Sequence, residues 1–323
     1  AQNIVVDASA PASPVISSAS LTNDTTPVVS GTAEVGATIT AVIAGATYTT
    51  TATEGSWTIN TGSATPASGT LAVNANGTNS VSVTATDVAG NVSAAGTQTL
   101  TVDTQAPTVT ITDNASSTTN GDITFTMTFS EAVSGFAASD ITVANGTAGT
   151  FTQTGEATYT LVVTPATNTV GNVTVDIAGA IATDAAGNSN TAATQATQAI
   201  DTAAPSAPTI ASISTPDNDN TPTISITAET GSTVKVYSNG DLLGTATEGG
   251  DAGGGNSTFT LTPSAIADGN YSITATAADT VGNASVEATP QNIVIDTVKP
   301  GAPVISSASL TNDTTPVVSG TAE

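Results

Sequence analysis

The stretch Asp103-Thr104-Gln105-Ala106-Pro107 recurs along the chain and divides it into repeats. The pattern Asp-x-x-x-Pro also occurs at 7–11, 201–205 and 296–300, and its aspartates are 96, 98 and 95 positions apart. Proline fixes φ and keeps the residue before it extended, so each copy predicts a stiff joint between two strands. A spacing of this size is the length of one domain, so the joints count the domains.

Alternating residues on both sides of each joint predict β-strands. Thr99–Val102 precedes the second joint and Thr108–Ile111 follows it, and each run alternates a polar with an apolar side chain. Similar runs fill the repeats, whereas the apolar spacing of a helix is weak throughout. Gly, Asn, Asp and Pro separate the runs at turn-like intervals. The pattern predicts an all-β chain with one β-sandwich in each repeat.

The joints predict three whole domains, at residues 8–104, 105–202 and 203–298. Residues 1–7 are predicted to be the last strand of a preceding domain, and 299–323 the first strands of a following one. The segment Pro14–Glu34 returns without change as Pro303–Glu323. The end pieces fit a segment of a longer repetitive chain. The alternative is that they pair with another chain head to tail by strand addition.

The charge balance limits the partners. The chain has 26 acidic residues against two lysines, contains no Cys or His, and carries a net charge of −24. Nucleic acid and anionic membranes are poor partners for such a surface. No run approaches the roughly 18 apolar residues of a membrane helix, so this segment is not expected to insert into a membrane. Small exported domains without disulfides need another source of stability, and a bound metal is a common one.

Three motifs resemble bacterial immunoglobulin-like repeats. They are Asp-x-x-Gly-Asn near the end of each repeat, Asp-x-x-x-Pro at each joint, and Ser-Glu-Ala-Val-Ser-Gly-Phe at 130–136, which marks the middle domain as a different subtype. Such repeats build the extender regions of large surface adhesins of the biofilm-associated and repeats-in-toxin groups. The resemblance implies tandem immunoglobulin-like β-sandwiches arranged end to end. It also implies a secreted stalk at the bacterial cell surface, with calcium at the domain joints.

Acidic residues recur at three places that an immunoglobulin-like sandwich brings to one pole: the last strand of the preceding domain, the B–C loop and the F–G turn. Three carboxylates at one pole would repel each other without a cation. Oxygen ligands without His or Cys suit Ca²⁺ better than Zn²⁺, and Mg²⁺ prefers smaller, water-rich sites. The predicted calcium ligands are Asp7, Glu34 and Asp87; Asp103, Glu131 and Asp184; Asp201, Glu229 and Asp279; and Asp296 with Glu323.

A simpler interpretation is that each turn aspartate only shapes its own turn through hydrogen bonds to the backbone. Asn91, Asn188 and Asn283 are predicted to be left-handed turn residues rather than ligands. Further acids in the A–B loops either complete the next joint, hold a second ion or are solvated. These are Asp24, Asp113, Asp122, Asp217, Asp219 and Asp313.

No enzyme is expected: the chain has no His, Cys or Arg, no Lys lies near a Ser-rich turn where it could act as a base, and carboxylate pairs occur only at joints. The first hypothesis is a calcium-stiffened adhesin stalk whose partners are the neighbouring domains of the same chain. The second is a filament subunit joined by strand addition. The third is a module that binds sugar, protein or ice, for which the threonine-rich run Thr47–Thr51 is a candidate face. Trp57 is predicted to be a packing residue.

Overall fold

The computed structural model describes residues 5–307 and 309–323. Four of the seven residues predicted to form the strand of a preceding domain, 1–4, therefore lie outside the described residues. Within the described ranges the single helix is the 3₁₀ turn Ala138–Asp140, and strands account for the other regular elements. The predicted all-β class is confirmed. No helix in this part of the chain has the length and apolar character needed to cross a membrane.

The chain divides into two compact units. The first comprises Ala1–Ser116, Asp122–Thr164 and Asn172–Gln198. The second comprises Ser117–Gly121, Pro165–Gly171 and Ala199–Glu323. The first unit holds the joint at Asp103 and the second holds the joint at Asp201, so each joint is described inside its own unit. The predicted domain boundaries stay a prediction.

The first β-sandwich consists of eight strands in two sheets. The strands are β1 Val15–Ile16, β2 Leu21–Thr22, β3 Val28–Thr32, β4 Thr38–Ile43, β5 Ala46–Thr51, β6 Ser56–Asn60, β7 Asn76–Thr86 and β8 Gly96–Asp103. One sheet has the order β1-β3-β6 and the other β2-β8-β7-β4-β5. Period-two alternation turns Ile39, Ala41 and Ile43 inward, where they are fully buried. Trp57 is 2% exposed in the same core, so its predicted packing role is confirmed.

The middle β-sandwich consists of seven strands. They are β9 Val109–Asp113, β10 Ile123–Phe129, β11 Ile141–Ala144, β12 Gly146–Gln153, β13 Thr158–Pro165, β14 Val170–Ile177 and β15 Ala196–Asp201. The sheets have the orders β12-β13-β10-β9 and β11-β14-β15. Strand β8 ends at Asp103 and β15 at Asp201, so both strands stop where the repeated motif predicts.

The last β-sandwich has eight strands, and a short pair follows it. The eight strands are β16 Thr209–Ile210, β17 Ile224–Glu229, β18 Thr233–Ser238, β19 Asp241–Thr245, β20 Thr247–Gly253, β21 Asn256–Leu261, β22 Gly269–Ala278 and β23 Gln291–Ile295. The short pair is β24 Val304–Ile305 and β25 Gly320–Thr321. The sheets have the orders β16-β17-β21-β20 and β19-β18-β22-β23, and β24 pairs with β25.

A parallel contact near the start of each sandwich brings the A–B loop to the end of the last strand. Strand β2 pairs in parallel with β8, with Thr22 opposite Val102. Isolated parallel bridges join Thr119 to Ile200 and Asp217 to Ile295. The last-strand partner in each case is the residue before a joint aspartate. The residue after Thr22, Thr119 or Asp217 therefore lies beside the joint.

Truncation of one inward-facing side chain should destabilise the first sandwich strongly. Ile39→Ala removes a buried side chain and should lower the free energy of unfolding by about 2–5 kcal/mol, because the cavity refills only in part. Urea unfolding followed by Trp57 fluorescence measures this directly, since Trp57 is the only tryptophan and lies in the same core. The control Thr49→Ala, exposed on β5, should stay within about 0.5 kcal/mol of the wild type. Equal losses in both variants would contradict the sheet assignment.

Candidate metal centre at the domain joint

Each Asp-x-x-Gly-Asn turn is closed by its own aspartate. In the middle domain Asp184 Oδ1 accepts the backbone N–H groups of Gly187 at 2.7 Å and Asn188 at 2.8 Å. Its Oδ2 accepts the Asn188 side-chain amide at 2.8 Å. Gly187 has φ of +97°, a region that suits glycine because it has no Cβ. The turn aspartates therefore shape their own turns through hydrogen bonds to the backbone, as the simpler interpretation holds, and this is one part of their role.

The predicted left-handed conformation of the turn asparagines is wrong. The residues with positive φ are the preceding glycines, Gly90, Gly187 and Gly282. Each asparagine side chain instead reaches back to the joint and donates Nδ2–H to the carbonyl oxygen of the joint aspartate. The distances are 3.1 Å from Asn91 to Asp7, 2.8 Å from Asn188 to Asp103 and 2.8 Å from Asn283 to Asp201. The sequence signal that was missed is the constant position of this asparagine after each turn aspartate.

Hydrogen bonds keep the turn carboxylates ionised. The side-chain amide of Asn91, followed by backbone N–H groups of the turn, lowers the pKa of Asp87 against a weaker effect of burial. For Asp184 and Asp279, burial is the largest single effect and would raise the pKa. The combined hydrogen bonds from the turn asparagine and backbone outweigh it, so both pKa values are lowered. A carboxylate held in this way stays charged at neutral pH and is oriented by the backbone.

One predicted trio is brought together by the fold. Asp103, Glu131 and Asp184 each offer a carboxylate oxygen, and these oxygens lie within 4.8 Å of one another. Asp184 is 5% exposed, and the other two are half-buried. Burial, and then the charges of Asp184 and Asp103, raise the pKa of Glu131. Among the residues that the structure describes, this is the only group of three potential metal-ligating side chains gathered so closely.

The loop that carries Glu131 is held at both ends. At its start, Ser130 exchanges two hydrogen bonds with Thr108, the residue after the joint proline. At its end, the Phe136 ring packs edge-on against Phe129 at 5.1 Å between ring centroids. Between these points Ser134 and Thr183 exchange backbone hydrogen bonds of 2.8 and 3.0 Å, which join the loop to the residue before Asp184. Glu131 is thereby tied to the segments that supply the other two carboxylates.

The remaining predicted ligands are not gathered in this way. Glu34 lies in the bend before β4 and Glu229 ends β17; both are exposed, and Asp7 is exposed as well. In the fourth set Glu323 accepts the backbone N–H of Gly301 at 3.1 Å. These three sets stay predictions.

The acids of the A–B loops hydrogen-bond within or beside their own loops. Asp24, Asp219 and Asp313 each accept both the backbone N–H and the hydroxyl of a threonine two residues on. The partner of Asp113 is the Ala115 N–H, that of Asp122 the Thr164 hydroxyl, and that of Asp217 the Asp219 N–H. These contacts account for the acids as loop-forming residues.

The gathered trio suits a hard divalent cation. Calcium binds oxygen ligands at about 2.3–2.6 Å, so two oxygens on one ion are separated by at most about 5 Å. The 4.8 Å limit on the trio's oxygens is compatible with a shared ion. A cleft of about 480 Å³ lined by Gln105, Ala106, Thr108, Ser130 and Glu131 opens the site to solvent. The donor set contains neither nitrogen nor sulfur, which favours calcium over zinc.

Comparisons with known proteins identify the family. One family model described as a bacterial Ig-like domain matches residues 103–200, and a second with the same description matches 2–104 and 212–297. The chain therefore belongs to the bacterial Ig-like domain family. The middle repeat thus matches a different model from the repeats on either side of it. No curated protein matches the chain significantly.

Solved structures with similar folds include two from bacterial adhesins. A structure from a study of host cell surface retention by a 1.5-MDa bacterial ice-binding adhesin is 22% identical, with 83% of this chain and 90% of that chain covered and a TM-score of 0.39. A tetra-tandem repeat from the extending region of a large adhesion protein is 21% identical, with 91% and 76% covered and a TM-score of 0.31. Invasin, a bacterial integrin-binding protein, is 12% identical, with 92% and 62% covered and a TM-score of 0.34. The family assignment rests on the sequence matches and not on these structures.

Acid should weaken the first sandwich through Asp87. Its pKa is lower in the folded chain than in the unfolded one, where it is about 3.9. The stabilisation is therefore present above the unfolded pKa and is lost as the pH falls through the folded pKa. Asp87→Asn should unfold at lower urea concentration than the wild type at pH 7, and the difference should shrink below pH of about 4. Trp57 fluorescence reports the transition, and a constant difference across this range would contradict the assignment.

Proposed function

We propose that this chain is a non-catalytic extender segment, a stalk, of an extracellular bacterial adhesin, and that calcium stiffens its joint at Asp103. Tandem domains of the bacterial Ig-like family support the stalk. The observation that carries the calcium proposal is the gathering of Asp103, Glu131 and Asp184 within 4.8 Å.

The three ligands come from both sides of the joint. Asp103 ends the last strand of one sandwich, whereas Glu131 and Asp184 lie in two loops of the next. Without a cation the like charges oppose this arrangement, as the raised pKa of Glu131 indicates. A bound calcium would be held by these carboxylates, with water or carbonyl oxygens completing its six to eight ligands. Binding would then favour the conformation in which the sandwiches meet at this joint.

The expected affinity suits an extracellular location. Calcium sites of extracellular modules have dissociation constants of about 10⁻⁴–10⁻³ M, so they fill in calcium-rich fluid and empty in cytosol. At a calcium concentration a hundred times the dissociation constant, binding stabilises the bound form by about 2.7 kcal/mol. A stalk with such a joint would be more pliable during export and stiffer outside the cell.

Calcium titration with matched variants tests the site. Isothermal titration calorimetry of residues 1–323 should show that Glu131→Gln has lost one calcium site relative to the wild type. The control Glu34→Gln changes the corresponding residue of the first repeat, which is exposed and not part of a gathered trio. It should keep the site that Glu131→Gln loses. Equal stoichiometry in the wild type and in Glu131→Gln would refute the proposed ligand set.

The same variant should stabilise the calcium-free middle domain. The pKa of Glu131 is raised in the folded chain, so wild-type stability falls as the pH rises from the ordinary value of about 4.3 through the folded pKa. Glu131→Gln removes the buried charge and its repulsion, so in chelator at pH 7 it should be more stable than the wild type. Hydrogen exchange of peptides from β10 and β13 measures the middle domain alone. A variant that is less stable in chelator would show that Glu131 has another structural role.

A further inference from the structure

We infer that the domain-to-domain interface at each of the joints at Asp103 and Asp201 is held by protein hydrogen bonds to one shared peptide group, independently of any cation. This inference concerns how one domain fits the pole of the next. It does not depend on the proposed calcium site.

The peptide group between Asp103 and Thr104 is bonded on both sides. Its carbonyl oxygen accepts Nδ2–H of Asn188, which belongs to the following sandwich, at 2.8 Å. Its N–H donates to Oδ1 of Asn76, which belongs to the preceding sandwich, at 2.9 Å. The Thr104 hydroxyl adds a bond of 3.0 Å to the same Asn76 oxygen. A trans peptide is planar and its C=O and N–H point in opposite directions, so these bonds fix its orientation to both domains.

The joint at Asp201 repeats this arrangement with backbone groups in place of a side chain on the preceding side. The Asp201 carbonyl oxygen accepts Nδ2–H of Asn283 at 2.8 Å. The Thr202 N–H donates to the Thr169 carbonyl oxygen at 2.9 Å. The Thr202 hydroxyl donates to the Ala166 carbonyl oxygen at 2.7 Å and accepts the Thr169 N–H at 2.9 Å. In both joints the shared peptide is therefore bonded on both sides, although the partners on the preceding side differ, so the shared peptide group is what both joints have in common.

The proline of each motif anchors the far end of the joint. Pro107 and Pro205 are buried, and the Pro107 carbonyl oxygen accepts the Thr191 N–H at 2.9 Å. Only two residues separate the shared peptide from this anchor at each joint. Little free chain is left in which the backbone could bend.

An asparagine in the A–B loop makes a third contact across each joint. Asn120 donates Nδ2–H to Oδ1 of Asn283 at 3.1 Å, so the Asn283 amide is bonded through both its oxygen and its nitrogen. At the other joint Asn23 packs on Gly187, where an added Cβ would lie 3.5 Å from Asn23 Nδ2. Both asparagines follow the residue in the parallel bridge to the last strand. Asn218 holds the same position in the third repeat, after the bridge of Asp217 to Ile295.

At the joint at Asp201, the effect of the hydrogen-bonded interface can be tested separately from any effect of calcium. Its carboxylates are not gathered into a metal group in the described part of the chain, so its order should depend on the hydrogen bonds alone. Stiffness due only to calcium predicts that a chelator loosens the joints. The shared-peptide interface predicts that the joint at Asp201 stays ordered in chelator.

Pulsed electron paramagnetic resonance tests this on the full chain of residues 1–323. The chain contains no cysteine, so Thr128→Cys on β10 and Thr227→Cys on β17 place two spin labels on exposed strand positions either side of the joint. In chelator the distance distribution should be narrow. Asn283→Ala and Asn120→Ala should each broaden it, and Asn292→Ala, an exposed asparagine on β23, should leave it unchanged.

The outcomes are separable from those of the calcium proposal. A broad distribution in chelator that narrows only with calcium would overturn the interface and leave the metal site standing. An unchanged width in both asparagine variants would also overturn it. A narrow distribution in chelator, together with no calcium binding by calorimetry, would support the interface and remove the metal site.

Circular dichroism checks each variant's fold. If Asn283→Ala disturbs its turn, Asn120→Ala decides the matter, because Asn120 is exposed and lies outside that turn.

Discussion

The hydrogen bond from a turn asparagine to the carbonyl oxygen of a joint aspartate is the contact on which the arrangement of each joint depends. It holds the carbonyl oxygen of a peptide group whose N–H group, at the Asp103 and Asp201 joints, is bonded to the preceding sandwich. The Asp-x-x-Gly-Asn turn orients this amide toward the joint. Its aspartate holds the asparagine from one side, and its glycine supplies the positive φ that the chain reversal requires.

The turn aspartate has two roles that do not compete. Its hydrogen bonds orient the carboxylate and keep it ionised, and an oriented, ionised carboxylate is what a calcium ion would need. What separates the second joint from the others is the glutamate. A loop tied to Thr108 and Thr183 and closed by Phe136 brings Glu131 close to Asp103 and Asp184. Glu34, in the bend before β4, and Glu229, at the end of β17, are exposed to solvent instead.

A stalk with two kinds of joint contact would respond to calcium unevenly along its length. Hydrogen bonds to the shared peptide act at neutral pH whether or not a cation is present. With calcium bound as proposed, the gathered carboxylates would add a second contact at one joint, where charge repulsion would otherwise oppose closure. The middle repeat, which matches a different family model from its neighbours, is the repeat that supplies Glu131 and Asp184 to this cluster.

The sequence by itself determined the all-β class, the strand ends at Asp103 and Asp201, and the repeat, because period-two alternation and proline act locally on the backbone. It also predicted which acids lie at each pole, because the topology of a sandwich fixes which loops share an end, and the trio at Asp103 is gathered as predicted. Only the tertiary structure decided which acids meet and what the asparagines bind. Those outcomes depend on loop paths set by contacts such as Phe136 with Phe129, between residues whose spacing alone does not reveal the contact. Asn188 and Asp103 are 85 positions apart, and the hydrogen bond between them depends on how one domain meets the next.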